Sequence, residues 1–449
     1  LIPIPQSSVG TNMINGFDPT TAERLPASEQ ALIARRNKLL GASYKLFYER
    51  PVHVVRGDGV WLYDPDGNAY LDVYNNVASV GHCHPRVVAA IASQAACLNT
   101  HTRYLHEAVL QYSEALLATY PEAISQVMYT CTGSEAVDLA LHIARYHTGA
   151  TGVIATANAY HGLTAAVAEI SPSLGRNVPI GAHVWLVDAP DAYREGEARV
   201  GERFAECVQA AIAAMQRRGI RLAAFIADSI FSTDGILTEP TGMLKCAIEC
   251  VHAAGGLYIA DEVQPGFART GSHWWGFQRH GVVPDLVVMG KPMGNGMPIA
   301  GVAARPEVLA RFGADIRYFN TFGANTVSIA AAQAVLDVIQ DEALMANCTR
   351  VGDYLLAGMR RMQDQYGAIG AVRGAGLFLA MEFVTDQQTK TPDGSLALKV
   401  VNRLREKRVL ISATGVHGHV LKIRPPLPFT TAHADIFLQA LGRTLAELT

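Results

Sequence analysis

This chain has no candidate membrane anchor, no disulfide scaffold and no nucleic-acid-binding arm. Its longest apolar stretches, such as Leu222-Ala-Ala-Phe-Ile-Ala227, fall far short of the roughly 20 residues that a spanning helix needs. Leu1-Ile-Pro-Ile-Pro5 lacks the positive flank and longer apolar core of a secretory signal. The seven cysteines are an odd number scattered over 449 residues, a usage that suits a reducing compartment better than a cross-linked fold. A soluble, cytoplasmic protein is therefore expected. Charged residues make up only 17%, no basic block occurs, and the formal net charge is -3, which argues against nucleic acid as the main partner. There is no internal repeat and no low-complexity segment.

Two phosphate-binding glycine motifs are also missing. A P-loop ending at Gly290-Lys291 would need Gly at 285 and Ser or Thr at 292, where Asp285 and Pro292 stand. No G-x-G-x-x-G opens a helix after a strand, so nicotinamide-dependent hydride transfer has little support.

What is present is a large apolar fraction, 49% hydrophobic residues, enough for a sizeable core and more than one domain. Residues 1–27 are rich in Pro, Ser, Thr and Asn and should lie along a surface, with a polar helix over 28–41. Trp61-Leu-Tyr63 and Ala69-Tyr-Leu-Asp72 flank the turn cluster Asp64-Pro-Asp-Gly-Asn68 and predict a hairpin. From about 85 to 305 apolar runs alternate with helical patterns. Strands are expected at Gln126–Thr130, Gly152–Ala155, His183–Val187, Leu222–Asp228, Gly256–Asp261, Asp285–Gly290 and Ile299–Ala303. Helices over 133–147, 203–218 and 241–254 fall between them.

This alternation is the pattern of an α/β fold with a mostly parallel sheet covered on both faces. After 326 a helix, strands near 376–384, 409–413 and 420–424, and a helix from about 433 make a smaller α+β unit. The expected domains are 1–84 (amino-terminal segment and part of the smaller domain), 85–325 (large, cofactor-binding) and 326–449 (carboxyl-terminal, small).

Lys291 follows the apolar run Asp285-Leu-Val-Val-Met-Gly290 and precedes Pro292-Met-Gly294. A lysine at the end of a buried strand is expected to be desolvated, which disfavours its ammonium form and leaves an amine able to attack a carbonyl. Asp261 ends another apolar run thirty residues earlier. In an open α/β sheet both would reach the same edge, outside the carboxyl ends of the strands. A lysine to hold an aldehyde and a carboxylate to face a pyridinium nitrogen point to pyridoxal phosphate. Thr130-Cys-Thr-Gly133-Ser134-Glu135 joins a strand to a helix, and small residues there offer N–H groups to a phosphate. Taken alone it would read as an ordinary N-cap, with Ser134 or Thr132 bonding the first turn; beside Lys291 and Asp261 the phosphate cradle is favoured.

Tyr160 could stack on the cofactor ring or be a packed loop residue. Arg424 ends a strand in the small domain and suits a carboxylate or phosphate, with a surface ion pair as the alternative. Lys45, Arg103, Asn75 and Asn76 are further groups for an anionic substrate. His82-Cys83-His84 is not read as a metal site: in extended chain the histidines share a side, Cys83 faces away, and no fourth ligand is near. Cys246 and Cys250 share a helical face as small core residues.

Asp261-Glu-Val-Gln264, Gly290-Lys291, Tyr160-His161-Gly162 and Thr321-Phe-Gly-Ala-Asn325 together resemble class III aminotransferases, fold-type I pyridoxal phosphate enzymes, over residues from about 35 to the end. The resemblance implies that Lys291 carries the cofactor as a Schiff base and that Asp261 pairs with the ring nitrogen. It further implies Val263 packed on the ring, Gln264 at the phenolic oxygen and Tyr160 stacked. Gly133 and Ser134 would bind phosphate, joined by Thr321 from the partner of a homodimer, and Asp228 would complete the cofactor contacts.

Tyr74-Asn-Asn-Val77, Val80-Gly-His-Cys-His-Pro85, Arg103-Tyr-Leu-His106, Glu169-Ile-Ser-Pro172, Gly290-Lys-Pro-Met-Gly-Asn-Gly296 and Lys407-Arg-Val-Leu-Ile-Ser412 are similar to the ethanolamine-phosphate phospho-lyase branch. Its members eliminate phosphate from O-phosphoethanolamine rather than transfer an amino group. Transamination of an amine or amino acid with a keto acid is the alternative, slightly favoured by Arg424. Four positions depart from the pattern: Asp228 replaces a usual Glu, Ala324 a Gly, Thr326 a Pro, and Ser79 a residue that is often His in the branch.

Overall fold

The structure is a computed structural model and describes residues 13–449; the expectation of a surface-lying amino terminus falls partly on 1–12, outside the described residues. No helix among the described residues is long and apolar enough to cross a membrane.

Seven strands form the central sheet: β1 (Gln126–Thr130), β2 (Gly152–Thr156), β3 (Val184–Val187), β4 (Leu222–Asp228), β5 (Leu257–Asp261), β6 (Leu286–Met289) and β7 (Ala300–Ala304). Their order is β1-β7-β6-β5-β4-β2-β3. All are parallel except β7, which runs antiparallel to both β1 and β6. Every strand predicted here is found, with ends shifted by a residue or two.

Side chains alternate between faces along each strand, and two separate cores result. Phe225, Ala227, Tyr258, Ala260, Val287 and Met289 enter one. Ala224, Ile226, Ile259, Leu286, Val288 and Val302 enter the other. Both faces being covered explains why β5 and β6 read as continuous apolar runs rather than alternating ones. The helix α1 (Gly133–Thr148) packs across the second face, against β7 and β6. Gly301 of β7 serves the strand pairing instead: a Cβ there would lie 2.8 Å from the Met128 carbonyl oxygen of β1.

A second, antiparallel sheet carries the carboxyl-terminal part: β8 (Ile369–Ala375), β9 (Phe378–Asp386), β10 (Ser412–Thr414) and β11 (Val420–Ile423), in the order β8-β9-β11-β10. The predicted hairpin forms between Trp61–Tyr63 and Ala69–Asp72, and Ala69–Asp72 also pairs in parallel with Val409–Leu410. A strand near 376–384 was expected, whereas β8, ahead of it, and the 22-residue helix Leu344–Gln365 were not. The helix Thr326–Asp341 packs chiefly on the helix Pro85–Cys97.

The two sheets are bolted together at the loop after β4. From β8, Arg373 donates to the carbonyls of Ile236 at 2.9 Å and Gly235 at 2.7 Å. From β10, Thr414 donates to the carbonyls of Ser232 at 3.2 Å and Thr233 at 3.1 Å. These bonds hold the loop after β4 against the second sheet.

Replacing Ile259, fully buried in the middle of the central sheet, by Ala should cost about 2–5 kcal/mol. Glu249→Ala, on an exposed helix position, should stay within about 0.5 kcal/mol. Urea midpoints at one fixed cofactor concentration check both.

Candidate active site

Parallel register brings the predicted pair of groups together. Asp228 and Asp261 are direct partners across β4 and β5, and Asp261 lies opposite Val288 of β6, two residues short of Gly290. Gly290 in turn abuts the start of α1: a Cβ there would be 3.5 Å from the Gly133 Cα. Lys291, Asp261 and Gly133 thus share one edge of the sheet, as expected for ligands of open α/β folds.

Lys291 corrects one expectation. Its strand is buried, but Lys291 itself is exposed at the carboxyl end of that strand. The surrounding protein still desolvates the amine, and with repulsion from Arg424 this lowers its pKa from 10.5 to about 8, against the pull of Asp261 and Asp228. A lysine in an opening, half neutral near pH 8, is better placed to meet an aldehyde than one sealed in the core.

Asp261 is buried, and its Oδ2 lies 2.7 Å from His161 Nδ1. Its Oδ1 accepts the Val263 N–H at 3.1 Å. His161 was quoted within a motif yet given no role by sequence reasoning. The structure makes it the group that orients Asp261, and its Nε2 is buried without a partner. Tyr160, half-buried beside them, has its hydroxyl pKa pushed up by burial and by the Asp261 charge.

At the head of α1 the cap is Thr132, and the geometry leaves N–H groups available for the cradle. The Thr132 hydroxyl accepts the Glu135 N–H at 3.2 Å, and Glu135 accepts the N–H groups of Thr132 and Cys131 at 2.9 Å each. Ser134 is not the cap; its Oγ accepts the Leu163 N–H at 3.0 Å. The N–H groups of Gly133 and Ser134, at the first two helical positions, have no intrahelical acceptor and point outward. Val263 walls this corner, since a Cβ on Gly133 would come within 3.2 Å of its Cγ2.

Asp228 is bonded within its own loop rather than ion-paired to a cation. It accepts a close hydrogen bond from the Ser232 hydroxyl and the Ile230 N–H at 3.0 Å, while burial and Asp261 push its pKa up. Gln264 donates from Nε2 to Ser232 Oγ at 2.6 Å and accepts at Oε1 from Arg424 Nη1 at 2.5 Å. Arg424 is not in a surface ion pair. It is buried, donates also to Asn76 Oδ1 at 2.8 Å, lies over the Tyr74 ring at 4.4 Å, and leaves its Nε unpartnered. Asn76 is buried with its Nδ2 unpartnered.

Other predicted residues are not drawn in. Arg103 is exposed and stacks at 3.7 Å on Phe319. Lys45 is exposed on a surface pocket of about 180 Å³ with Phe17, Arg36 and Tyr44. Asn75 accepts the Val77 N–H at 3.0 Å. Thr321 is exposed, beside the Asn320 that meets Cys131 at 3.6 Å. The two histidines of His82-Cys83-His84 do not share a side: Cys83 adopts a φ of 52°, which breaks the extended geometry. His82 then meets Asp72 at 2.7 Å and His84 meets Glu342 at 3.1 Å. Among the described residues no cluster of metal-ligating side chains forms.

A lysine and a carboxylate at one edge of a seven-stranded α/β sheet, beside a helix amino terminus, define a pyridoxal phosphate enzyme of fold-type I. Comparison with known proteins gives the same class. The family model for class-III aminotransferases matches residues 47–445, so the chain belongs to that family, whose members depend on pyridoxal phosphate. It is 41% identical to an alanine–glyoxylate aminotransferase 2-like protein of Drosophila melanogaster, over 94% of this chain and 89% of that protein. It is 36% identical to ethanolamine-phosphate phospho-lyase homolog 1 of Caenorhabditis elegans, over 93% and 94%. Among solved structures it is similar to a phospholyase from Arthrobacter in complex with phosphoethanolamine, with a TM-score of 0.90 and 44% identity, covering 93% of this chain and all 100% of that one.

The residues present fit the cofactor. The cleft offers an amine, a buried carboxylate held by His161, two outward N–H groups and the Val263 wall. Because the neutral amine is the nucleophile and its fraction grows as pH rises through the pKa, cofactor uptake by cofactor-free protein should accelerate with a midpoint near pH 8 rather than 10.5. Stopped-flow absorbance measures this, and Lys291→Ala should abolish the borohydride-trapped adduct.

Proposed function

We propose that this protein eliminates phosphate from O-phosphoethanolamine, yielding acetaldehyde, ammonia and inorganic phosphate. The observation that carries this reading is the state of Arg424. Its guanidinium is buried, and among the described residues its only acceptors are the amide oxygens of Asn76 and Gln264. Asp228, the carboxylate within reach of this region, is tied to Ser232 instead. A buried cation without a countercharge is costly, and an anionic substrate group offsets that cost. The likeness to a phospholyase holding phosphoethanolamine supports a phosphate as that anion.

Pyridoxal phosphate, when bound, supplies the electron sink that makes a C–H bond next to the amine nitrogen acidic. Lys291, whose lowered pKa leaves a neutral fraction at neutral pH, takes that proton as general base. Asp261, oriented by His161, stands as the carboxylate that favours a protonated ring nitrogen. Arg424 and Asn76 hold the phosphate so that it departs from the adjacent carbon before the proton returns. The two-carbon fragment then takes up water and separates into acetaldehyde and ammonia.

We further infer a homodimer. Leu105, Tyr104, Leu163 and Phe322 are large apolar side chains exposed on one protomer. Loop 318–323 packs on its own residues 129–131 and leaves Thr321 outward, free to reach a neighbouring copy. Transamination remains the second reading, because the Arg424 fork would hold a carboxylate equally well and the Drosophila relative is named an aminotransferase.

Purified holoenzyme given phosphoethanolamine and no keto acid should release phosphate and acetaldehyde in equal amounts over many turnovers. An aminotransferase would stop after one turnover per site. Arg424→Gln should raise KM for phosphoethanolamine by about 100-fold, since removing one member of a buried charge pair costs about 2–5 kcal/mol.

A further inference from the structure

A buried lysine stands in the same region, and neither the motifs nor the chemistry above has used it. Lys422 lies in β11, paired with Ala380 of β9 and Ser412 of β10, and only 7% of it is exposed. Alternation along β11 sends Leu421 and Ile423 into the main core. Val420 faces the other way, packing with Phe378, Ala380, Ile230 and Ile236. Lys422 and Arg424 follow Val420 on that side, so both point toward the loop after β4 and the cleft.

The charges around Lys422 leave it uncompensated. Among the described residues its ammonium has no hydrogen bond and no ion pair; it lies 5.7 Å from the Phe378 ring. Two carboxylates face it, but each is engaged elsewhere. Asp228 is held by Ser232 and Ile230. Asp234 accepts from Thr156 Oγ1 at 2.9 Å and the Asn158 N–H at 3.1 Å. Arg424 and Lys291 add repulsion, and with burial as the largest cause they hold the Lys422 amine far below the usual lysine range. Burial without a partner therefore favours the neutral amine in the free protein, and an anion bound beside it would restore the ammonium form by supplying the missing countercharge. A single Arg424 balances one negative charge, whereas a phosphate monoester carries nearly two near neutral pH.

We propose that Lys422 is a substrate-binding residue that, with Arg424, forms a two-cation seat for the phosphate of a phosphorylated amine. This rests on the phospho-lyase reading, and it names the residue that would favour a dianion over a carboxylate. A carboxylate satisfies one of the two cations and leaves the other unmatched; a phosphate dianion satisfies both.

The test uses holoenzyme and a ligand that keeps the anion but has no leaving group, 2-aminoethylphosphonate. Isothermal titration should show Lys422→Gln binding it about 100-fold more weakly than wild type, with Lys422→Arg recovering most of the loss. Ethanolamine, lacking the anion, should perturb the cofactor absorbance alike in wild type and variants. Unchanged phosphonate affinity in Lys422→Gln overturns the assignment while leaving the elimination reading in place. An equal loss for ethanolamine also overturns it, because Lys422 would then be holding the fold. If wild type binds the phosphonate through Lys422 yet releases no phosphate from phosphoethanolamine, the elimination reading fails and the seat stands. Should Lys422→Gln not fold, Lys422→Met is titrated in its place: a loss confined to the phosphonate supports the seat, and no loss overturns it.

Discussion

The parallel register of β4, β5 and β6 is the constraint from which the site follows. Hydrogen bonding between these strands fixes Asp228 beside Asp261 and carries the end of β6 to the same edge. No side chain chooses that position. Because both faces of the sheet are packed with apolar residues, a slip of one residue in any strand would turn its core-facing set around and lose both cores at once. The geometry of the reacting groups is therefore held by the stability of the whole large sheet.

On that edge the protein maintains an unusual division between satisfied anions and unsatisfied cations. Asp261 has His161 and a backbone N–H, Asp228 has Ser232 and Ile230, and Asp234 has Thr156 and Asn158. Among the described residues Lys291, Lys422 and Arg424 have no carboxylate within pairing distance. In water such an imbalance would matter little; inside a protein, with its lower effective dielectric, it sets preference for an anionic ligand and lowers the lysine pKa values. The shorter Asp228, where the family more often has Glu, is consistent with this division: it reaches Ser232 in its own loop rather than Arg424.

The second sheet supplies two of these cations, so its attachment is functional as well as structural. Arg373 and Thr414 clamp the 232–236 loop by its carbonyl groups. Glu382, buried in β9, accepts ion pairs from Arg373 at 2.8 Å, Arg194 at 2.5 Å and His419 at 3.3 Å, and these neighbours hold its carboxyl well below the usual range. A rigid network of this kind keeps β11 at a fixed distance from β4, which a two-sheet binding site requires.

The amino-acid sequence by itself determined the strands of the large sheet, the edge they share and the pair Lys291–Asp261, because apolar runs ending in single polar residues report burial and position locally. It also carried the family resemblance through contiguous motifs. Other features came only from the tertiary structure. The antiparallel sense of β7 depends on which neighbours a short Ala- and Gly-rich strand finds. The helix over 344–365 shows its apolar face only once its partners are known. His161 gains its role from Asp261, one hundred residues away, and Lys422 looks like any strand lysine until β11 is seen against β4. Arg103 and Lys45 lie exposed, away from the Lys291 edge within one protomer, which the chain could not announce: a cation's function depends on the dielectric and the partners that the fold places around it, and neither is encoded next to it in the chain.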